Sequence, residues 1–507
     1  MNIFNKIVVV LAVVSLFFSC NSDDDNVIDP IDTADLTFKK IGSFSNGMGE
    51  EGFAEISAFD PITNKLFVVN PNDTEISVWD LSNPATPIPG TDITVNGVPN
   101  SVAVSNGVVA VALENSANKQ ANGTIATYNS DNQSLLNTYD AGALPDMVTF
   151  SPDGKYIVVA NEGEPDDLYT NDPEGSVTII EVASGQITNA AFTAFNGQTI
   201  GNDFRVFGKE ATLAQDVEPE YVAISDDSKT AYISLQENNG LAVVDLNTKT
   251  VTNILGFGLK DHSLPQNQLD ASNRDDISGN FKNWPVFGMY QPDAIEFVSI
   301  SGVDYIISAN EGDARDYDGF SEEERVKDLV LDPIAFPDAA ILQLDENLGR
   351  LKTTTANGDT DGDGDYDEIY VYGGRSFTIW STSGNIIYDS GDVIGKKTFE
   401  LESILFNNDE GEVDGRSDDK GAEPEAVETL KIGDKTLLFV GLERTGGAMV
   451  FDISNPASPT FLDWMVDATD IGPEGLIAIK AIDSPTGNDL VIITYEVSNT
   501  VAIYEVN

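Results

Sequence analysis

From Leu36 to Asn507, apolar residues come in short β-branched and aromatic runs separated by Gly, Asp, Asn and Pro. No long stretch keeps the 3.6-residue spacing of an amphipathic helix, so the pattern predicts all-β structure. The runs also repeat. A strand start reads Gly52-Phe-Ala-Glu55, Val98-Pro-Asn100, Leu144-Pro-Asp146, Glu218-Pro-Glu220, Gln291-Pro-Asp293, Glu423-Pro-Glu425 and Gly472-Pro-Glu474. A polar turn follows, such as Ser151-Pro-Asp-Gly. A second strand comes next and commonly ends in an acid: Glu114, Glu162, Glu237, Glu311, Glu443 or Glu496. A third strand then ends the clearest part of the unit.

Three or four short antiparallel strands repeated about seven times predict a β-propeller, whose units stack radially because one alone cannot bury both faces. The last repeat stops after three strands. The orphan strand at 36–44 is therefore expected to supply its fourth and close the ring. Seven blades are favoured. Eight remain the alternative, because extra strands at Glu368–Tyr372, Ser376–Trp380 and Asn385–Tyr388 could form a degenerate blade or elaborate the fifth. Insertions are expected near 187–216, 257–290 and 313–391.

The first 35 residues follow a different pattern. Lys6 precedes an apolar run from Ile7 to Phe18, too short to span a bilayer comfortably and ending in Leu-Phe-Phe-Ser-Cys20. Residues 1–19 read as a lipoprotein signal peptide. Residues 20–35 read as a lipidated Cys20 followed by a flexible acidic tether. This places residues 36–507 as a propeller held at the outer membrane or cell surface by the lipid on Cys20.

Composition narrows the chemistry. The 507 residues carry 84 acids and 27 Lys plus Arg, for a formal charge of −57, with one His and one Cys. Such a chain will not hold a nucleic-acid backbone. One His and one Cys cannot build a Cys/His zinc centre or a disulfide. His262, in an insertion, is expected to be a surface histidine.

In a propeller the first strand lines the channel and the second runs antiparallel to it. The strand-start set (Glu55, Asn100, Asp146, Glu220, Asp293, Glu425, Glu474) and the strand-end set should therefore share one mouth. Twelve carboxylates there need cations, basic side chains or raised pKa values. Arg315, Arg416, Lys420 and Arg444 lie within nine residues of these acids. The alternative is that the acids cap turns and brace neighbouring blades. Separately, Asp359, Asp361, Asp363, Asp365 and Asp367, with Gly364 at the turn position, match the first half of an EF-hand-like loop. That spacing predicts Ca²⁺, although Tyr370 stands where the bidentate Glu would be. Asp270 to Asp276 is a weaker version of the same signal.

Several stretches resemble the choice-of-anchor I family of extracellular propellers. They are Leu144-Pro-Asp-Met-Val-Thr-Phe-Ser-Pro-Asp-Gly-Lys155, Ala309-Asn-Glu-Gly-Asp-Ala-Arg-Asp-Tyr317, Asp414-Gly-Arg-Ser-Asp-Asp-Lys-Gly-Ala-Glu-Pro-Glu425, Gly441-Leu-Glu-Arg-Thr-Gly-Gly447 and Asp483-Ser-Pro-Thr-Gly-Asn488. The family is similar in turn to mesenchyme-specific cell-surface glycoproteins. The resemblance implies an extracellular propeller with varied attachment, and it supplies no catalytic residues. Two functions stay open. One is a monomeric, calcium-dependent binding or adhesion module taking cations or a small anionic or metal-bridged ligand. The other is a calcium-dependent hydrolase resembling alkaline phosphatases. In it Glu162, Asp293, Glu311, Glu425 and Glu443 would hold the metal. Glu311, Arg315, Arg416, Glu443 and Arg444 are its candidate catalytic groups.

Overall fold

The computed structural model describes residues 32–507 except 50 and 410. The signal peptide, Cys20 and most of the tether lie outside the described residues. Among the described residues, seven antiparallel sheets of four strands or more follow one another. Their innermost strands are Ser57–Asp60, Val98–Ser105, Pro145–Phe150, Pro219–Ile224, Ile295–Ile300, Pro424–Ile432 and Pro473–Ile479, here the first to seventh sheets. Each innermost strand packs on the next, and the seventh packs on the first, so the sheets form a closed ring. This is a β-propeller, as the repeats predict.

The ring is held by apolar residues between sheets. The second strand of each sheet is buried on both faces, as in Leu66–Asn70 and Ile157–Asn161. One shared core joins the third and fourth sheets through Val158, Val177, Val222 and Ile233. Another joins the seventh to the first through Ile492, Ile503, Leu66 and Val68. The last sheet is completed from the other end of the chain: Phe38–Ser45 pairs antiparallel with Thr500–Val506. The expected closing strand is therefore present, and it also covers an edge that would otherwise expose unpaired backbone groups.

The strands at 376–389 are neither an eighth blade nor an insertion. Ser376–Ser381 and Ile386–Asp389 are the third and fourth strands of the fifth sheet. Tyr370–Val371 instead pairs in parallel with Phe287–Met289 between two insertions. Those insertions bury a core of their own around Leu269, Trp284, Val326 and Leu348. His262 is a correction to the surface expectation. It is 2 % exposed, its Nδ1 is 2.8 Å from the Asn267 carbonyl, and burial pushes its pKa down to about 3. The packing of insertion against insertion encloses it, which no local pattern around it encodes.

Candidate functional site

The strand-start motif has a shared backbone device. Proline has no N–H to give a ladder, and in four repeats it is the first residue of the strand: Pro145, Pro219, Pro424 and Pro473. A register shift follows at once, between Pro99 and Ser101, Pro145 and Val148, Pro219 and Val222, Pro424 and Val427, and Pro473 and Gly475. A bulge of this kind re-aims a side chain out of the ladder, and the residue released each time is the acid or amide of the repeat. The preceding residue is left-handed in four repeats: Leu144, Gln291, Glu423 and Gly472, with φ of 48°, 42°, 53° and 71°. Such strain collects where geometry is tightly imposed.

The strand-end motif is pinned to the same place. The backbone N–H of Glu162 donates to Leu144 O at 2.9 Å, that of Glu443 to Glu423 O at 2.9 Å and that of Glu496 to Gly472 O at 2.8 Å. In Asn161-Glu-Gly and Asn310-Glu-Gly the asparagine is fully buried. Asn310 Nδ2 donates to Ser376 Oγ (3.1 Å) and Thr378 Oγ1 (2.8 Å), while Ser308 Oγ donates to Asn310 Oδ1 (2.7 Å). A Cβ on Gly312 would lie 2.1 Å from Gly373 N, so glycine is required there. The asparagine thus ties the second strand to the third, the glutamate enters the mouth and the glycine lets two backbones touch. Asn310→Ala is expected to cost about 1–3 kcal/mol, because it removes three buried hydrogen bonds and takes from the Ser308 hydroxyl its acceptor. Chemical denaturation of the two proteins would measure it.

The result is a cavity of about 300 Å³ lined by all seven strand-start residues together with Glu162 and Glu496. Eight of its lining residues are carboxylic acids, Asn100 adds an amide, and none is a lysine or arginine. Burial, then mutual repulsion, pushes their pKa values up: Glu55 to about 8, Asp146 and Glu496 to about 7, Asp293 to about 6. Glu162, Glu220, Glu425 and Glu474 move in the same direction for the same reasons.

Beside this cavity, between the fifth and sixth sheets, the acids meet bases. Carboxylate oxygens of Asp293, Glu311 and Glu425 lie within 4.8 Å of one another, as do those of Glu311, Glu423 and Glu443. Four of the five expected mouth ligands therefore converge. Glu162 does not join them; it lies by Asp146, Glu164 and Lys119 on another side. Glu423 is fully buried and gathers three cations: Arg416 Nε at 2.6 Å, Lys420 Nζ at 3.3 Å and Arg444 Nε at 3.5 Å. Burial alone would raise its pKa, but Lys420, Arg416 and Arg444 outweigh this and hold it near 2. Lys420 also pairs with Glu311, and Arg444 Nη2 with Glu443 at 2.9 Å.

Arg315 is placed elsewhere. Its buried guanidinium binds Asp216 Oδ1 at 2.7 Å and Glu218 Oε1 at 3.0 Å, and its Cζ lies 4.5 Å from the Phe207 ring centroid. It locks two insertions to the fourth sheet and is not grouped with Arg416 and Arg444. Sequence reasoning passes over Glu423 and Glu218. The signal was available: these two repeats alone carry an acid immediately before the strand-start proline.

The Asp-rich loop also gathers. Oxygens of Asp359, Asp361 and Asp367 lie within 4.8 Å of one another, and those of Asp365 and Asp367 form a second set with Asp332. Asp332 arrives through a parallel bridge between Leu331 and Tyr366. Asp363 is in neither set; its Oδ1 accepts the N–H of Asp365 at 3.2 Å. In the weaker loop Asp270 and Asp275 both accept hydrogen bonds from Asn280.

Fold and site together define a β-propeller with an acidic channel mouth. A family model for the choice-of-anchor I domain matches residues 55–456, and the chain belongs to that family. It is similar to Gigasin-3a of Magallana gigas, 28 % identical over 190 residues that make up 32 % of this chain and 66 % of that protein. It is also similar to a mesenchyme-specific cell surface glycoprotein of Strongylocentrotus purpuratus, 26 % identical over 301 residues, 51 % of this chain and 38 % of that one. The chain therefore spans less than two thirds of either relative. Among solved structures, a chain of Kuenenia stuttgartiensis hydrazine synthase matches with a TM-score of 0.47 and 14 % identity, over 90 % of this chain and 96 % of that one. No helix among the described residues is long and apolar enough to cross a membrane.

Proposed function

We propose that this protein is a cell-surface binding module that loads a hard divalent cation, Ca²⁺ above all, in the acidic mouth of its propeller and engages its ligand through that ion. The observation that carries the reading is the cavity itself: eight carboxyl groups around about 300 Å³ with no basic side chain in the lining. Oxygen-only donors of this kind suit Ca²⁺ or Mg²⁺, and a cation there would relieve the burial and repulsion that raise the pKa values. The Asp359–Asp367 loop, with Asp332, is a second, structural calcium position in this reading. The relative named as a cell surface glycoprotein supports an extracellular location, and the Leu-Phe-Phe-Ser-Cys20 sequence supports lipid attachment to an outer membrane.

The hydrolase alternative is weaker on the geometry. Clamping a phosphate needs available cations, and Arg416, Lys420 and Arg444 are already bound to Glu423, Glu311 and Glu443. Calcium at 100 times its Kd is expected to stabilise the fold by about 2.7 kcal/mol per site, read as a rise in Tm over an EDTA control. Glu425→Gln should remove part of the rise and Asp361→Asn another part. A Tm indifferent to calcium in the wild type would refute metal loading. Turnover of a chromogenic phosphomonoester, lost in Glu311→Gln, would revive the hydrolase.

A further inference from the structure

We propose that the other end of the channel is a second, independent binding site, and that its ligand is a small organic ammonium: an apolar body carrying one protonated amine. The later parts of the inner strands enclose a cavity of about 620 Å³, within the size range of pockets that bury small molecules. It is separate from the acidic compartment and meets it only at a collar of Ile56, Ser101, Met147 and Tyr221, which line both. Its walls include Val102, Phe150 and Ile479, which give the apolar part of a ligand a surface to cover.

Charged groups interrupt that wall: the carboxyls of Glu296, Glu428 and Asp483, and Lys480. Glu296 of the fifth sheet and Glu428 of the sixth line the same cavity. Glu296 Oε1 accepts from Thr429 Oγ1 at 3.2 Å, and Glu428 Oε1 accepts from the Thr429 N–H at 2.8 Å. Among the described residues neither forms an ion pair within 4.0 Å. Lys480, at the same cavity, acts on Glu428 only at longer range. Burial and then the charge of Glu428 push the pKa of Glu296 up. Partly buried carboxyls on adjacent strands that no base pairs with directly cost stability, and a cationic ligand would offset that cost.

The chemistry separates this site from the mouth. Calcium takes six to eight oxygens. Here Glu296, Glu428 and Asp483 line the cavity with Lys480 and the hydroxyls of Ser57, Ser105 and Thr149, but among the described residues these carboxyls form no set of three at metal-binding spacing. An ammonium has three donors, enough to bridge carboxylates from adjacent sheets while its apolar body lies on the wall. The site does not depend on any metal in the mouth.

The test uses phenethylammonium chloride as probe and neutral 2-phenylethanol as its isostere, titrated calorimetrically into the full chain at pH 8 with EDTA and again with CaCl₂. Saturable binding of the amine is expected. It should weaken about 10-fold or more in Glu296→Gln/Glu428→Gln, as expected for loss of charge-assisted hydrogen bonds. The alcohol should bind at least as much more weakly, and Glu425→Gln in the mouth should leave the amine unaffected. Magnetisation transfer from the probe ring to the Met147 methyl gives a readout on the wild type should the double variant fail to fold. The proposal is overturned by no saturable binding up to about 10 mM or by no transfer to Met147. It is equally overturned by equal binding of the alcohol, by loss of binding in Glu425→Gln, or by competition from CaCl₂ that persists in Glu425→Gln. That last result would make the pair a metal site.

Discussion

Glu423→Gln should unfold at markedly lower temperature than the wild type, with a loss of about 3–5 kcal/mol, the usual penalty for removing one partner of a buried ion pair. Glu423 is fully buried and is the common acceptor of Arg416, Lys420 and Arg444. Glutamine keeps the volume and removes the charge, so three cations would face one another across a neutral amide. Two residues further along the chain, inside the strand, the effect should reverse. Burial, then repulsion from Glu443 and Glu311, pushes the pKa of Glu425 up, so a neutral amide removes an uncompensated charge and can donate to the carboxyls beside it. In EDTA above pH 7, Glu425→Gln should therefore match or exceed the wild type in Tm while losing calcium response. Equal destabilisation by both variants would mean that the two acids share one role and that the split between a neutralised cluster and an uncompensated cavity is wrong.

That split also marks what the sequence makes legible. The propeller shows because six of the seven repeats place a proline directly before an acid or amide, and in five of them a bulge follows that turns that side chain into the channel. The closing strand shows because the last repeat is one strand short. All seven strand-start positions line one cavity for the same periodic reason. What does not repeat is hidden. Arg416 and Lys420 reach Glu423 and Glu311 from a non-periodic loop after the fifth sheet. Arg315 turns to Asp216, 99 residues away, although its nearest repeat acid in sequence is Glu311. Asp332 joins the Asp-rich loop through a single bridge. His262 is enclosed by packing that its neighbours in sequence do not signal. Contacts between insertions obey no period, so only the folded chain reveals which bases neutralise which acids.

Without calcium, stability should fall steeply as pH rises from 6 to 8. Glu55 is pushed up to about 8, Asp146, Glu237 and Glu496 to about 7 and Asp293 to about 6, in each case first by burial. In the unfolded chain such carboxyls titrate near 4. Across that interval the folded state therefore holds protons that the unfolded state has already released. Stability then decreases with pH in proportion to the difference in bound protons. Their contribution is fully present below pH 4 and is lost as pH passes through 6 to 8. Each net proton is worth about 1.4 kcal/mol per pH unit, so an excess of two held across two units amounts to about 5 kcal/mol lost. Glu423 works in the opposite window: held near 2, it contributes above pH 4.5 and fails only as pH falls towards 2. The Tm of the metal-free protein should therefore peak on the acid side of neutrality. Saturating calcium should flatten the alkaline limb, because the ion replaces the protons as counter-charge. Thermal melts in EDTA and in CaCl₂ from pH 5 to 9 would decide the matter. A metal-free Tm that holds or rises between pH 6 and 8 would mean that the mouth carboxylates are already compensated, and the case for a cation there would be lost.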